Sequence, residues 1–245
     1  MTKGEPVLQL DKVSAFLREG HRVDDVSLLV RHGELVALVG GNNSGKSLAL
    51  RLAAGLEAPL TGMIRLLGVN PALAAETEYI DLRRRVGVVF DRPGLLSNMN
   101  VFNNVALPLR YHTVLSEPEI QDKVMAALRE WNVEHLREQF PAELMLGDAR
   151  FVALARAEIL DPEILFLDDM LLGLDATGLV RLRGFFERMR VAGKTTLITS
   201  AGAATKLFEV LDRLLFFRNG RFVADARPAE VVQIKDPAVQ ELFGV

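Results

Sequence analysis

The octapeptide Gly40-Gly41-Asn42-Asn43-Ser44-Gly45-Lys46-Ser47 constrains this chain more than any other stretch. It reads G-x-x-x-x-G-K-S. The apolar run Leu35-Val36-Ala37-Leu38-Val39 stands before it, and a helical pattern over residues 48–56 follows. Strand, glycine loop and helix form the context a phosphate-binding loop requires. The glycines let backbone N–H groups turn inward on a phosphate chain, and the helix N-terminus adds the positive end of its dipole. On this reading Gly40, Asn42, Asn43, Ser44, Gly45 and Leu48 line the phosphates. Lys46 reaches the β- and γ-phosphates, and the Ser47 hydroxyl is a ligand of Mg2+.

Composition narrows the remaining classes. A chain of 245 residues holds one large or two small domains with a substantial core. With 49% apolar and 25% charged residues it reads as an ordinary globular protein. A net charge of −3 offers no field of one sign for nucleic acid or anionic lipid. The absence of cysteine excludes disulfides, thiol catalysis and cysteine metal sites. The opening residues Met1-Thr2-Lys3-Gly4-Glu5-Pro6 lack the apolar core of a signal peptide. No apolar run approaches the ~20 residues of a spanning helix. The expectation is a cytoplasmic protein without direct membrane insertion, peripheral to a membrane only through a partner.

Residues 7–13 and 23–30, rich in Val and Leu, read as two strands joined by a polar turn around Gly20. The all-apolar run over residues 35–39 suits a parallel sheet buried on both faces. Residues 62–68 read as a strand bracketed by glycines, and a helical turn ends in Arg83-Arg84-Arg85, taken as a solvated helix end. After the strand over residues 86–90 the pattern turns helical. Residues 100–111 place Val101, Val105 and Leu109 at helical spacing. Ser116-Glu117-Pro118-Glu119 is a capping box opening a second helix, and a third runs over residues 147–160. Strand and helix then alternate from Ile164 onward, with Asn219-Gly220 as a hairpin turn and short helices opening at Pro228 and Pro237. The layout is one domain over residues 1–245, an α/β core with a helical subdomain inserted over residues 92–157.

Ile164-Leu165-Phe166-Leu167-Asp168 carries a second nucleotide signature, four apolar residues and an acid that places a carboxylate in the Mg2+ shell. Together with Val152-Ala153-Leu154-Ala155-Arg156-Ala157 and Gly173-Leu174-Asp175, these residues resemble the ATP-binding subunits of ABC transporters. The resemblance covers nearly the whole chain. It implies a P-loop NTPase (RecA-like) core of mainly parallel sheet, an N-terminal antiparallel β portion and a helical insertion. The segment over residues 98–110 looks especially like the ATPase of Mla-type phospholipid-trafficking transporters. The implied cofactors are ATP and Mg2+, and the implied partners are a membrane permease and a second ATPase subunit, either another copy or a paired chain. In the family two subunits sandwich two ATP molecules head to tail, each site joining one subunit's phosphate loop to the other's signature segment. The segment over residues 100–111 then resembles the region that contacts a permease, with Val101, Phe102 and Val105 as apolar contacts. The alternative is that these residues only close the helical insertion's own core.

Held against the family pattern, several positions depart. Asn43 stands where glycine or serine is usual, and asparagine tolerates left-handed backbone. Asp91 replaces a glutamine that senses the metal and the attacking water. It is either a metal ligand or a turn residue before Pro93. The signature L-S-G-G-Q is Leu144-Met145-Leu146-Gly147-Asp148 here, without the serine donor and with a side chain where glycine allows close approach. Asp169 replaces the glutamate that polarises water and is shorter by one bond, about 1.5 Å. Ser200-Ala201-Gly202 occupies the place of a histidine that contacts the γ-phosphate. The adenine platform falls to Phe16 or Leu17, with burial in the core as the alternative for Phe16. The reading is a nucleotide-binding transporter subunit that binds MgATP and turns it over slowly or not at all. The alternative is a regulator or scaffold on the same fold.

Overall fold

An apolar strand with no polar face must be covered on both sides, and the order of elements supplies the covers. The computed structural model describes residues 4–17 and 22–243, so the turn expected around Gly20 lies outside the described residues. Strands β1 (Pro6–Phe16) and β2 (Arg22–Arg31) pair antiparallel, and β3 (Leu35–Val39) leads into helix α1 (Lys46–Ala53). Then come β4 (Thr61–Leu66), α2 (Glu76–Arg84) and β5 (Val86–Val89). Three helices follow, α3 (Val101–His112), α4 (Glu117–Glu130) and α5 (Leu146–Glu158). The chain closes through β6 (Ile164–Leu167), α6 (Ala176–Ala192), β7 (Thr196–Ala201), β8 (Arg213–Arg218), β9 (Arg221–Ala226) and α7 (Pro237–Phe243). The segments near Phe208 and after Pro228 form only 3-10 turns, Lys206–Val210 and Pro228–Gln233.

The strands make two sheets, a three-stranded antiparallel one ordered β2-β1-β4 and a six-stranded one ordered β5-β6-β7-β3-β8-β9. In the larger sheet only the β8–β9 pair is antiparallel. This is the expected mainly parallel α/β core with an antiparallel N-terminal portion. Successive side chains of a strand point to opposite faces, and β3 divides accordingly. Val36 and Leu38 join Leu48 and Leu52 of α1 and the inner face of the β1–β2 hairpin. Leu35, Ala37 and Val39 join Val152 of α5 and Phe186 of α6 on the other face. Burying each large apolar side chain contributes roughly 1.5–3 kcal/mol, so β3 tolerates no polar residue. Strand β3 lies between β7 and β8, while β5 and β6 lie beyond β7. The order reverses there, and the crevice at the carboxyl ends of such strands is where α/β sheets bind ligands.

Helices α3, α4 and α5 stand between β5 and β6 in sequence and share the second core. Trp131 is 1% exposed, stacked on Phe151 at 5.4 Å and edge-on to Phe185 at 4.9 Å. The capping box forms, with the Glu119 carboxylate accepting the Ser116 N–H at 2.8 Å. Val101 and Val105 are fully buried in this core. For those two the permease-contact expectation is corrected, because a side chain inside a packed interior offers nothing to a partner. Phe102 is partly buried, and the surface at the end of α3 is Tyr111. Of the arginine triplet, Arg84 is exposed as expected of a solvated helix end, while the expectation is corrected for Arg83 and Arg85. Arg83 donates to the Ala54 carbonyl at the end of α1 at 2.7 Å, and Arg85 pairs with Glu163 at 2.5 Å, clasping β5 to β6.

Candidate nucleotide site

The phosphate loop leaves β3 at Gly40, whose N–H donates to the Ala201 carbonyl at the end of β7 at 3.1 Å. A Cβ on Gly40 would stand 2.4 Å from the Phe217 carbonyl oxygen. Gly45 caps α1 with φ +103°, and a Cβ there would meet the Arg22 carbonyl oxygen at 2.2 Å. Sterics and backbone conformation therefore both demand glycine at Gly45. Asn43 has φ 60°, the left-handed conformation asparagine accepts more readily than most residues. The loop is held from outside by the Asn219-Gly220 turn, where both residues have positive φ as a tight hairpin requires. The Gly220 N–H donates to the Ser44 carbonyl at 2.8 Å, and its own carbonyl accepts the Asp24 N–H at 2.8 Å.

Four charged or hydroxyl groups, Lys46, Ser47, Asp168 and Ser200, meet at the loop's inner end. Lys46 is 6% exposed and donates through Nζ to the Gly41 carbonyl at 3.4 Å. The Ser47 hydroxyl donates to Asp168 Oδ1 at 3.1 Å, and the Ser200 hydroxyl donates to the same oxygen at 2.5 Å. Burial pushes the Asp168 carboxyl above its ordinary value, while the bonds from Ser200 and Ser47 pull it back. Two buried oxygens here, Ser44 Oγ and Asp168 Oδ2, have no hydrogen-bond partner among the described residues. Orphaned buried polar atoms are rare and call for a ligand, an ion or water. A hydroxyl and a carboxylate beside a glycine cradle fit Mg2+, which takes hard oxygen donors. Among the described residues no group of three or more His, Cys, Asp or Glu could hold a metal alone. An ion at this place would complete its shell with phosphate oxygens and water.

The other expected residues fall around this centre. Asp169 is half-buried with φ 49°, and its N–H donates to Ser200 Oγ at 3.0 Å. Asp91 is exposed in the bend after β5, and its negative charge helps raise Asp168. Leu48 is buried under the loop in the α1 core, and Asn42 is exposed. Phe16 ends β1 at 58% exposed, so it is not a core residue. It pairs in register with Arg22, whose carbonyl faces Gly45, and thus lies one strand away from the loop.

Comparison with known proteins agrees with this geometry. The profile of a family described as ABC transporter matches residues 23–171. The chain belongs to the ABC transporter family. It is 30% identical over 220 residues to the intermembrane phospholipid transport system ATP-binding protein MlaF of Escherichia coli strain K12, covering 90% of this chain and 82% of that one. It is 32% identical over 226 residues to the sulfate/thiosulfate import ATP-binding protein CysA 2 of Shewanella oneidensis, covering 91% of this chain and 62% of that one. The chain thus spans less than two thirds of the latter protein's length. In fold it is similar to the dimeric post-hydrolysis ATP-binding cassette MJ0796 bound to ADP and Pi. The TM-score is 0.82 at 21% identity, covering 90% of this chain and 98% of that one.

In this ABC family member the signature segment opens α5. Met145 takes the helix N-cap without a side-chain cap and is 78% exposed, and Leu146 is 45% exposed. A Cβ on Gly173 would stand 2.7 Å from Leu146 Cδ2, so this leucine packs on the turn before α6. Sequence reasoning passed over Arg150, which is fully buried and donates to the Asp169 and Asp91 carbonyls at 2.8 Å each. Its signal was an arginine inside the apolar run Ala149-Arg150-Phe151-Val152. Asn104 was also missed. Fully buried, it accepts the Leu96 N–H at 2.7 Å and shapes the loop entering α3.

Proposed function

We propose that this chain is the nucleotide-binding subunit of an ABC transporter, binding MgATP but hydrolysing it slowly or not at all. Residues 92–157 act as the inserted helical subdomain. The observation that carries this reading is the contrast between an intact phosphate loop and a signature segment with two exposed apolar side chains. The loop residues from Gly40 to Leu48 hold the phosphates, with Lys46 as their cation. Ser47 and Asp168 hold Mg2+, and Asp91 faces its outer shell. Phe16 is the adenine platform. When bound, Mg2+ neutralises the triphosphate and lets it approach this acidic corner. Asp169 stands at the place of the water-polarising glutamate, one bond short.

The partners in this reading are a membrane permease and a second ATPase subunit, and the chain works at the cytoplasmic face through them. Among the described residues no helix is long and apolar enough to cross a membrane. The likeness of residues 98–110 to phospholipid-trafficking ATPases favours a lipid cargo. Calorimetry tests the site: Lys46→Ala removes a charge aimed at the phosphates and weakens MgATP binding by more than about 1.5 kcal/mol. Equal affinity in both proteins would rule out this placement and leave a scaffold on the same fold.

A further inference from the structure

Asp91, Asp168 and Asp169 stand at the ends of two different strands, and two fully buried side chains tie them together from behind. Ser200 donates its hydroxyl hydrogen to Asp168 Oδ1 and accepts the Asp169 N–H at 3.0 Å. Arg150, on α5, donates through Nη1 to the Asp169 carbonyl and through Nη2 to the Asp91 carbonyl, both at 2.8 Å. Both residues are 0% exposed. With the Ser47 hydroxyl on Asp168, an unbroken run of hydrogen bonds leads from α1, through the ends of β6 and β7, to α5 and the bend after β5.

A buried cation is retained only when it is paired and hydrogen-bonded. Burial lowers the Arg150 pKa, and the carboxylates of Asp169, Asp91 and Asp168 oppose that shift. One planar guanidinium on two carbonyls fixes the spacing of the two loops, which a lysine with a single point charge cannot do. Ser200 fixes the Asp168 carboxylate in the same way and leaves its second oxygen without a partner among the described residues.

We propose that Ser200 and Arg150 are positioning residues, a brace that holds the Asp168 carboxylate, and the backbone of Asp169 and Asp91 beside it, in register for the divalent ion. The proposal rests on the MgATP reading above. Partners in the outer shell of a metal site orient its ligands, and losing one lowers metal affinity about 10- to 100-fold. The brace touches only the metal end of the site, whereas Lys46 and the glycines hold the phosphates without it.

Calorimetry of ATP binding in Mg2+ and in EDTA, on the full chain, separates these ends. In Ser200→Ala and in Arg150→Lys, the ratio of affinity in Mg2+ to affinity in EDTA falls about tenfold. Affinity in EDTA stays near that of the unaltered chain. Hydrogen exchange at residues 91–94 and 169–173 rises in both variants. Should Arg150→Lys fail to fold, Ser200→Ala, which deletes one hydroxyl, decides the matter alone. An unchanged ratio, or an equal loss in both buffers, overturns the brace while leaving the MgATP reading intact. No ATP binding by the unaltered chain in either buffer overturns that reading and the brace with it.

Discussion

The phosphate loop and the signature segment are two halves of one kind of site, and they are built to different standards here. At the loop each steric demand is met: glycine at Gly40 and Gly45, asparagine in the left-handed conformation at Asn43, and a buried lysine at Lys46. The signature segment shows Met145 and Leu146 to solvent where a donor and an open backbone are expected. On the proposed reading the loop holds the nucleotide of its own chain, and in the family the signature serves the nucleotide across the dimer. On that same reading the contrast means retained binding in cis and lost assistance in trans. The loop also supports the fold through its contacts to Ala201 and Gly220, so its preservation has a structural cause as well.

The difference is sharpest in what each half tolerates. Gly45→Ala places a methyl group 2.2 Å from a backbone oxygen at φ +103°. It destabilises the fold by about 3 kcal/mol or more and abolishes ATP binding. Denaturant unfolding and calorimetry check this, and a loss below about 1 kcal/mol would break the comparison. Met145→Ser behaves oppositely. It installs a capping oxygen at the exposed N-cap of α5, so it stabilises the protein by about 0.5–1 kcal/mol. Destabilisation by that substitution in the same unfolding assay would mean that Met145 packs against something the fold requires.

Much of this was legible because it is local. Strand β3, the loop and α1 are contiguous, so periodicity and glycine spacing reported them directly. The Asn219-Gly220 turn was equally readable, although its grip on Ser44 was not, because it joins segments far apart in sequence. The position of Arg150 and the bonds of Ser200 escaped for that reason: their partners lie just past the ends of other strands. Val101 and Val105 were ambiguous, since an apolar stripe looks the same whether a core or a partner covers it. The helical core settled them as buried. Roles borrowed from the family, such as those of Asp91 and Asp169, concern a bound ligand and could not be read from either pattern or packing.

The smallest effect is a control at the other end of α5. Burial pushes the Glu158 carboxyl from 4.5 up to about 8, with a 3.0 Å bond from Trp131 Nε1 opposing the shift. The unfolded chain ionises this acid first, so its contribution to stability is full below pH 4.5 and declines as pH rises to about 8. Glu158→Gln keeps the acceptor and flattens that decline. Thermal unfolding across the range checks it, and parallel profiles for the two proteins would contradict the assignment. Since neither half of the site contains Glu158, ATP affinity is unaffected.

The most direct test pairs ATP affinity with phosphate release on the purified chain. Loss of a single donor to a developing charge lowers a rate by roughly 10²-fold. Met145, Leu146, Asp169 and the segment Ser200-Ala201-Gly202 all depart from the family pattern. Such effects are not additive, so the account predicts MgATP binding that depends on Lys46, with turnover at least ~10²-fold below a fully equipped ABC subunit. Asp169→Glu alone leaves that turnover low. Brisk, Mg2+-dependent phosphate release from the unaltered chain, abolished by Lys46→Ala, would contradict the account.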